Sequence, residues 1–326
     1  MASDRLVILL SGNRHGFLDS RMLFSKLLVS AISLAPLVSA VPVGNVHGHR
    51  HHNQTAIKRD GGGFSDGVYD CSHFPEDQDG VVKLDYLGFG GWTGVQKNDG
   101  NYGTASTCED NTYCSYACKP GMSKTQWPSD QPGSGQSVGG LLCKNGKLYK
   151  TQKGSNNLCE GGHGNAYVKN SLGSNVAICR TDYPGTENMN VPTNIDSGSQ
   201  QPLSVVDEDN YYNWGNKKTS AQYYVNKSGR SAQDVCVWGN EGDDFGNWAP
   251  LNFGSGYTDG KIWLSMSKNP LNSKSNVDYK ISIKADGGSL SHDCSYENGS
   301  FHGDGATDDG CTVSVTGGGA YFELHN

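Results

Sequence analysis

The sequence predicts a mainly β protein, with a disulfide-rich N-terminal half packed on an antiparallel β-sandwich. Three observations predict it. Apolar residues make up only 35% of the 326 residues while glycine contributes 45, a composition lean in core and rich in turns. The ten cysteines are even in number and all lie at or after Cys71, which in an exported chain points to a framework of up to five disulfides. The C-terminal half alternates apolar and polar residues with a period of two, the pattern of half-buried antiparallel strands. A thaumatin-like sandwich is the specific expectation.

In chain order, residues 1–40 read as an N-terminal extension and an export signal. Lys26 supplies a positive end, Leu27 to Leu37 an apolar run and Val38-Ser-Ala40 a small-residue cleavage site, so Met22 rather than Met1 is the expected start. The apolar run is too short to span a membrane, and no second long run follows. Residues 41–59 read as a pro-segment. His47, His49, His51 and His52 surround Arg50, and the segment closes on the dibasic pair Lys58-Arg59, the expected processing site before Asp60. An exposed, disordered segment accounts for the histidines better than a metal site.

Net charge is −7; residues 1–59 hold seven Lys/Arg and two Asp/Glu, so they carry +5 and the rest −12. No basic footprint for nucleic acid is present. An acidic exported domain suits a neutral polysaccharide, whose hydroxyls hydrogen-bond carboxylates, and equally a solvated surface.

The domain is expected over 68–326. Val81 to Leu87 reads as its first strand, and Gly88-Phe-Gly90-Gly91-Trp92 as a turn with an aromatic plug. Cys108, Cys114, Cys118 and Cys143 follow in the spacing C-x5-C-x3-C-x24-C, with Tyr113-Cys-Ser-Tyr-Ala-Cys-Lys-Pro-Gly-Met-Ser-Lys-Thr-Gln-Trp-Pro-Ser-Asp-Gln-Pro132 among them. Together with Cys71, Cys159, Cys179, Cys236, Cys294 and Cys311 they complete the disulfide set. Short strands are expected at 147–149, 166–168 and 176–178. A polar stretch at 193–201 marks a sub-boundary. Beyond it lie strands at 203–206, 221–225, 261–267, 278–285, 312–315 and 320–324.

The spacing and the run 113–132 resemble the fungal SUN family, secreted cell-wall proteins classed with glycoside hydrolases and unrelated to the nuclear-envelope SUN domain. The resemblance covers roughly 68–326, including Cys179 to Met189 and Val206 to Trp214. It implies β-glucosidase or β-1,3-glucanase activity on wall β-glucan, a part in septation, cell separation and wall shaping, and residence outside the cell or in the wall. The Ser/Thr-rich stretch that many members carry before the domain is missing, which bears on wall retention.

Glycoside hydrolysis uses two carboxyl groups, one to protonate the leaving oxygen and one as nucleophile or base. Two clusters offer carboxyls beside rings that stack on sugars. One is Asp182, Tyr183 and Glu187, around the Pro184-Gly185 turn; the other is Asp207, Asp209 and Trp214. Asp207 and Asp209 share a face on extended backbone. Trp127 and Trp248 are further platforms for substrate, with Trp238 and Trp263 behind them. The second reading is a non-catalytic β-glucan-binding or structural wall protein that uses the same groups without cleavage. No cofactor and no metal site are expected: H-E-x-x-H is absent and the cysteines are committed to disulfides. Asn226-Lys-Ser and Asn298-Gly-Ser are glycosylation sequons.

Overall fold

The structure is a computed structural model that describes residues 63–129, 131–132, 136–181, 191–214 and 217–326. Buried apolar residues in this part of the chain separate into two main cores. The first gathers Tyr69, Trp92, Val95, Tyr116, Leu141, Leu148 and Leu158; the second runs from Ala166 to Leu324. The chain therefore passes from one core to the other between Cys159 and Ala166, earlier than the polar stretch at 193–201.

The N-terminal half has little regular structure to hold it. A four-stranded antiparallel sheet joins Gly94–Lys97, Thr112–Ser115, Leu141–Lys144 and Lys147–Tyr149. Two-stranded ribbons join Val81–Val82 to Ala117–Cys118 and Met122–Lys124 to Cys159–Gly161. Disulfides Cys71–Cys143, Cys108–Cys114 and Cys118–Cys159 staple these short pieces. Each such bridge contributes about 2–4 kcal/mol by restricting the unfolded chain. The expected strand at 81–87 is short: after Val82 the chain enters a 3-10 turn, Asp85–Leu87, which Gly88 ends at φ 80°.

The C-terminal half is a β-sandwich. The larger sheet runs Val191–Ile195, Val176–Arg180, Ala221–Val225, Leu251–Thr258, Lys261–Lys268, Gly310–Thr316, Ser289–Leu290. The smaller runs Gln200–Pro202, Ala166–Asn170, Gly319–His325, Lys280–Asp286, Ser295–Glu297, Ser300–His302. Pairing is antiparallel except for Ala166–Asn170 beside Gly319–His325 and Val206–Asp207 beside Leu251–Thr258. The alternation of the sequence becomes the core: Ile262, Leu264 and Met266 from one sheet meet Ile281, Ile283 and Phe322 from the other. Phe253 and Phe322 stack across the interface at 4.0 Å between ring centres. Residues 193–201 carry the chain from the larger sheet to the smaller. Disulfides Cys179–Cys236 and Cys294–Cys311 complete the set, and no cysteine is free.

Candidate active site

Asp207 is placed by a substitution of neighbours along one strand. Ala221–Val225 pairs with Leu251–Thr258 from Leu251 to Ser255 and goes no further. Val206–Asp207 takes over the vacant edge, in parallel, opposite Gly256 and Tyr257. Val206 is buried, and Asp207, next along the chain, is half-buried opposite Tyr257. The Glu208 side chain lies across Gly256, where a Cβ would meet its carboxylate.

The following turn closes over the carboxylate. Asn210 Nδ2 donates to Asp207 Oδ2 at 2.7 Å, the Asp209 amide donates to Oδ1 at 3.1 Å, and the Tyr211 amide donates to the Asp207 carbonyl at 2.8 Å. The Asn210 hydrogen bond holds the Asp207 carboxyl below its ordinary range. The Asp209 amide, His163 and Lys218 act the same way, against an upward push from burial. Asp207 is thus a carboxylate at neutral pH, the form of a nucleophile or base and not of a proton donor.

A ring pair stands against it. The His163 amide donates to the Val205 carbonyl at 2.7 Å, which brings the imidazole Nε2 to 3.6 Å from Asp207 Oδ2. The same imidazole stacks on Tyr257, ring centres 4.6 Å apart and 9° from parallel, with its side chain 52% exposed. In the turn that follows Asp207, Tyr211 receives a hydrogen bond from Arg180 Nη2 at 3.3 Å and packs edge-on against Trp127 at 5.1 Å. Arg180 is buried, and its Nη1 donates to the Met122 carbonyl at 2.9 Å, tying the sandwich to the N-terminal half. The site therefore sits where the two halves meet, a common setting for clefts.

Asp209 is exposed and ion-paired with Lys218, with the Thr258 hydroxyl at 3.5 Å. Asp182, Tyr183, Glu187 and the side chain of Trp214 lie outside the described residues, as do Lys58 and Arg59. The flanking residues of 182–190 are described. Arg180 pairs with Val191, and the Thr181 amide donates to the Gln222 carbonyl at 2.8 Å. By the strand register, this is the same end of the larger sheet as Asp207. Trp127 joins the group through Tyr211. Trp248 does not: it precedes Leu251, at the other end of the strand that carries Tyr257. Tyr257 is six positions after Leu251, about 20 Å of extended chain.

The two sequons differ. Asn298 is exposed, at the tip of the hairpin Ser295–Glu297/Ser300–His302, with φ 51° followed by Gly299 at 85°, the conformations of a tight Asn-Gly turn. Asn226 is 0% exposed. Its amide nitrogen donates to the Ala177 carbonyl at 2.9 Å and lies 3.3 Å from the Cys179 sulfur, and its oxygen accepts from the Gly246 amide at 3.3 Å. A glycan on that nitrogen is incompatible with this packing. Among the described residues no group of three or more His, Cys, Asp or Glu side chains is gathered as metal ligands would be.

Comparison with known proteins decides the family. The family described as "Beta-glucosidase (SUN family)" matches residues 66–313. The chain belongs to the SUN family. A probable secreted beta-glucosidase of Schizosaccharomyces pombe is 73% identical over 320 residues, 93% of this chain and the whole of that protein. A second one from the same yeast is 56% identical over 265 residues, 81% of this chain and 62% of its own length. A secreted beta-glucosidase of Candida albicans is 56% identical over 264 residues, with the same shares. No solved structure matches. This SUN-family protein is secreted, as the names of these relatives say of them and in accord with its five disulfides.

Proposed function

We propose that this SUN-family protein is a glycosidase that hydrolyses or remodels β-1,3-glucan of the cell wall during septation and cell separation, with Asp207 as its nucleophile or base. One observation carries the reading. A carboxylate held ionised by Asn210 stands beside the His163–Tyr257 ring pair, and the turn that follows it carries the Trp127–Tyr211 pair, where the two halves of the protein meet. Rings take the apolar faces of a pyranose, and the carboxylate takes its hydroxyls or its anomeric carbon. The names of the relatives supply the reaction class.

The proton donor of the pair would be Glu187 or Asp182. Their segment is rooted at the Asp207 end of the sheet, which favours them over the acids of the glycine-rich turns. Asp209 is the weaker partner because its carboxylate is taken up in the ion pair with Lys218. The test is to incubate the secreted protein with laminarin-type oligosaccharides and measure new reducing ends. Release of glucose or shorter oligosaccharides supports the proposal. Binding without any release points instead to a non-catalytic wall protein.

A further inference from the structure

The end of the larger sheet opposite Asp207 carries a second set of rings. Between Val225 and Leu251 the chain makes a loop that is braced throughout. Cys236 is bridged to Cys179. Arg230 lies 4.8 Å over the Phe245 ring and reaches Asp244 at 2.8 Å, and Lys227 reaches the same carboxylate at 2.6 Å. The Gly239 amide donates to Asn247 Oδ1 at 2.7 Å. The neighbouring loop is bonded to this one through Asn272 Nδ2, which donates to the Trp248 carbonyl at 2.7 Å and the Asp243 carbonyl at 3.2 Å.

These two loops hold apolar side chains out in water. Among the described residues three large hydrophobic side chains are exposed, and two of them are here: Trp238 at 51% and Leu271 at 39%. Trp248, half-buried, lays its ring edge against Gly239, immediately beside Trp238; a Cβ at position 239 would stand 3.2 Å from that ring. The loop that carries Trp238 is thus braced at several points, with half of the indole surface in water.

The size and rim of the patch select its occupant. Its exposed apolar surface is on the order of 200 Å², against about 800 Å² per partner in a stable protein complex. Asn240 and Glu241 are exposed beside Trp238, and Asp243 is half-exposed. Rings rimmed by amide and carboxylate acceptors fit a pyranose. We infer that Trp238, Trp248 and Leu271 form a second, non-catalytic surface for a β-glucan chain. The identity of the polymer rests on the function proposed above. Lying about 20 Å from Asp207 along the intervening strand, this surface does not touch the sugar at that site. Its effect is to add a second attachment on a long polymer, which raises avidity there and not on short oligosaccharides.

The test uses the secreted protein, with Trp238→Ala and Trp238→Phe made both in the native chain and with Asp207→Asn. Two quantities are read: binding to particulate β-1,3-glucan and turnover of a short soluble β-glucan oligosaccharide. Trp238→Ala should weaken binding to the particle about ten-fold, Trp238→Phe should largely restore it, and turnover of the oligosaccharide should not change. The same loss of binding with Asp207→Asn, where hydrolysis plays no part, upholds this surface even if the protein proves to have no turnover. Particle binding by Trp238→Ala equal to that of the native chain overturns the inference. So does a parallel loss on the short oligosaccharide, which would make Trp238 part of the Asp207 site.

Discussion

His163 and Asp207 come from different elements and meet at 3.6 Å, Nε2 to Oδ2, because the His163 backbone is bonded to Val205, two residues before the carboxylate. The contact fixes one face of the site: the imidazole stands against the carboxylate and stacks on Tyr257.

Removing that face should cost affinity more than chemistry. His163→Ala and Trp127→Ala are each expected to raise KM for a glucan oligosaccharide about ten-fold, equivalent to about 1.4 kcal/mol, with kcat changed less. Steady-state kinetics on the two variants check this. An unchanged KM in both would remove the ring pairs from the substrate path.

Asn210 is expected to set the acid limit of the proposed reaction. Its amide depresses the Asp207 carboxyl, so the carboxylate persists below the ordinary Asp value of about 3.9. Activity that depends on ionised Asp207 is full above that value and is lost as pH falls through the lowered one. The acidic limb of kcat/KM should therefore lie below about pH 3.9, and Asn210→Ala should move it upward. A limb in the same place with and without the amide would mean that another group titrates.

The sequon asparagines should behave as opposites. Peptide mapping should find a glycan at Asn298 and none at Asn226. Asn226→Ala leaves the Gly246 amide and the Ala177 carbonyl without that partner and should lower unfolding stability by about 1–3 kcal/mol, read from denaturant melts. A glycosylated Asn226, or a variant as stable as the native chain, contradicts the packing described.

Much of the sandwich was legible because its strands are half-buried. Lys261–Lys268 and Lys280–Asp286 show their core faces as alternate Ile, Leu, Met and Ile, Ile side chains. The central strand Leu251–Thr258 was not. Its outer face carries Gly254 and Gly256, which read as turn residues in sequence. In the structure the Ser265 and Glu208 side chains lie across these positions, in the space a side chain there would enter. The site was legible to the same degree. Asp207, Asp209 and Trp127 stand in runs where acids and rings adjoin, but His163 and Tyr257 do not. Their convergence depends on a parallel pairing of two residues and on one backbone hydrogen bond, neither of which leaves a periodic mark.

Action of Asp207 on a glycosidic bond is tested by comparing the secreted native protein with Asp207→Asn for release of reducing ends from a β-1,3-glucan oligosaccharide, with affinity for the oligosaccharide measured alongside. The substitution keeps the shape and removes the charge. The expected result is a fall in turnover of about 100-fold or more with affinity and melting temperature little changed. Turnover by Asp207→Asn equal to that of the native protein would contradict the account.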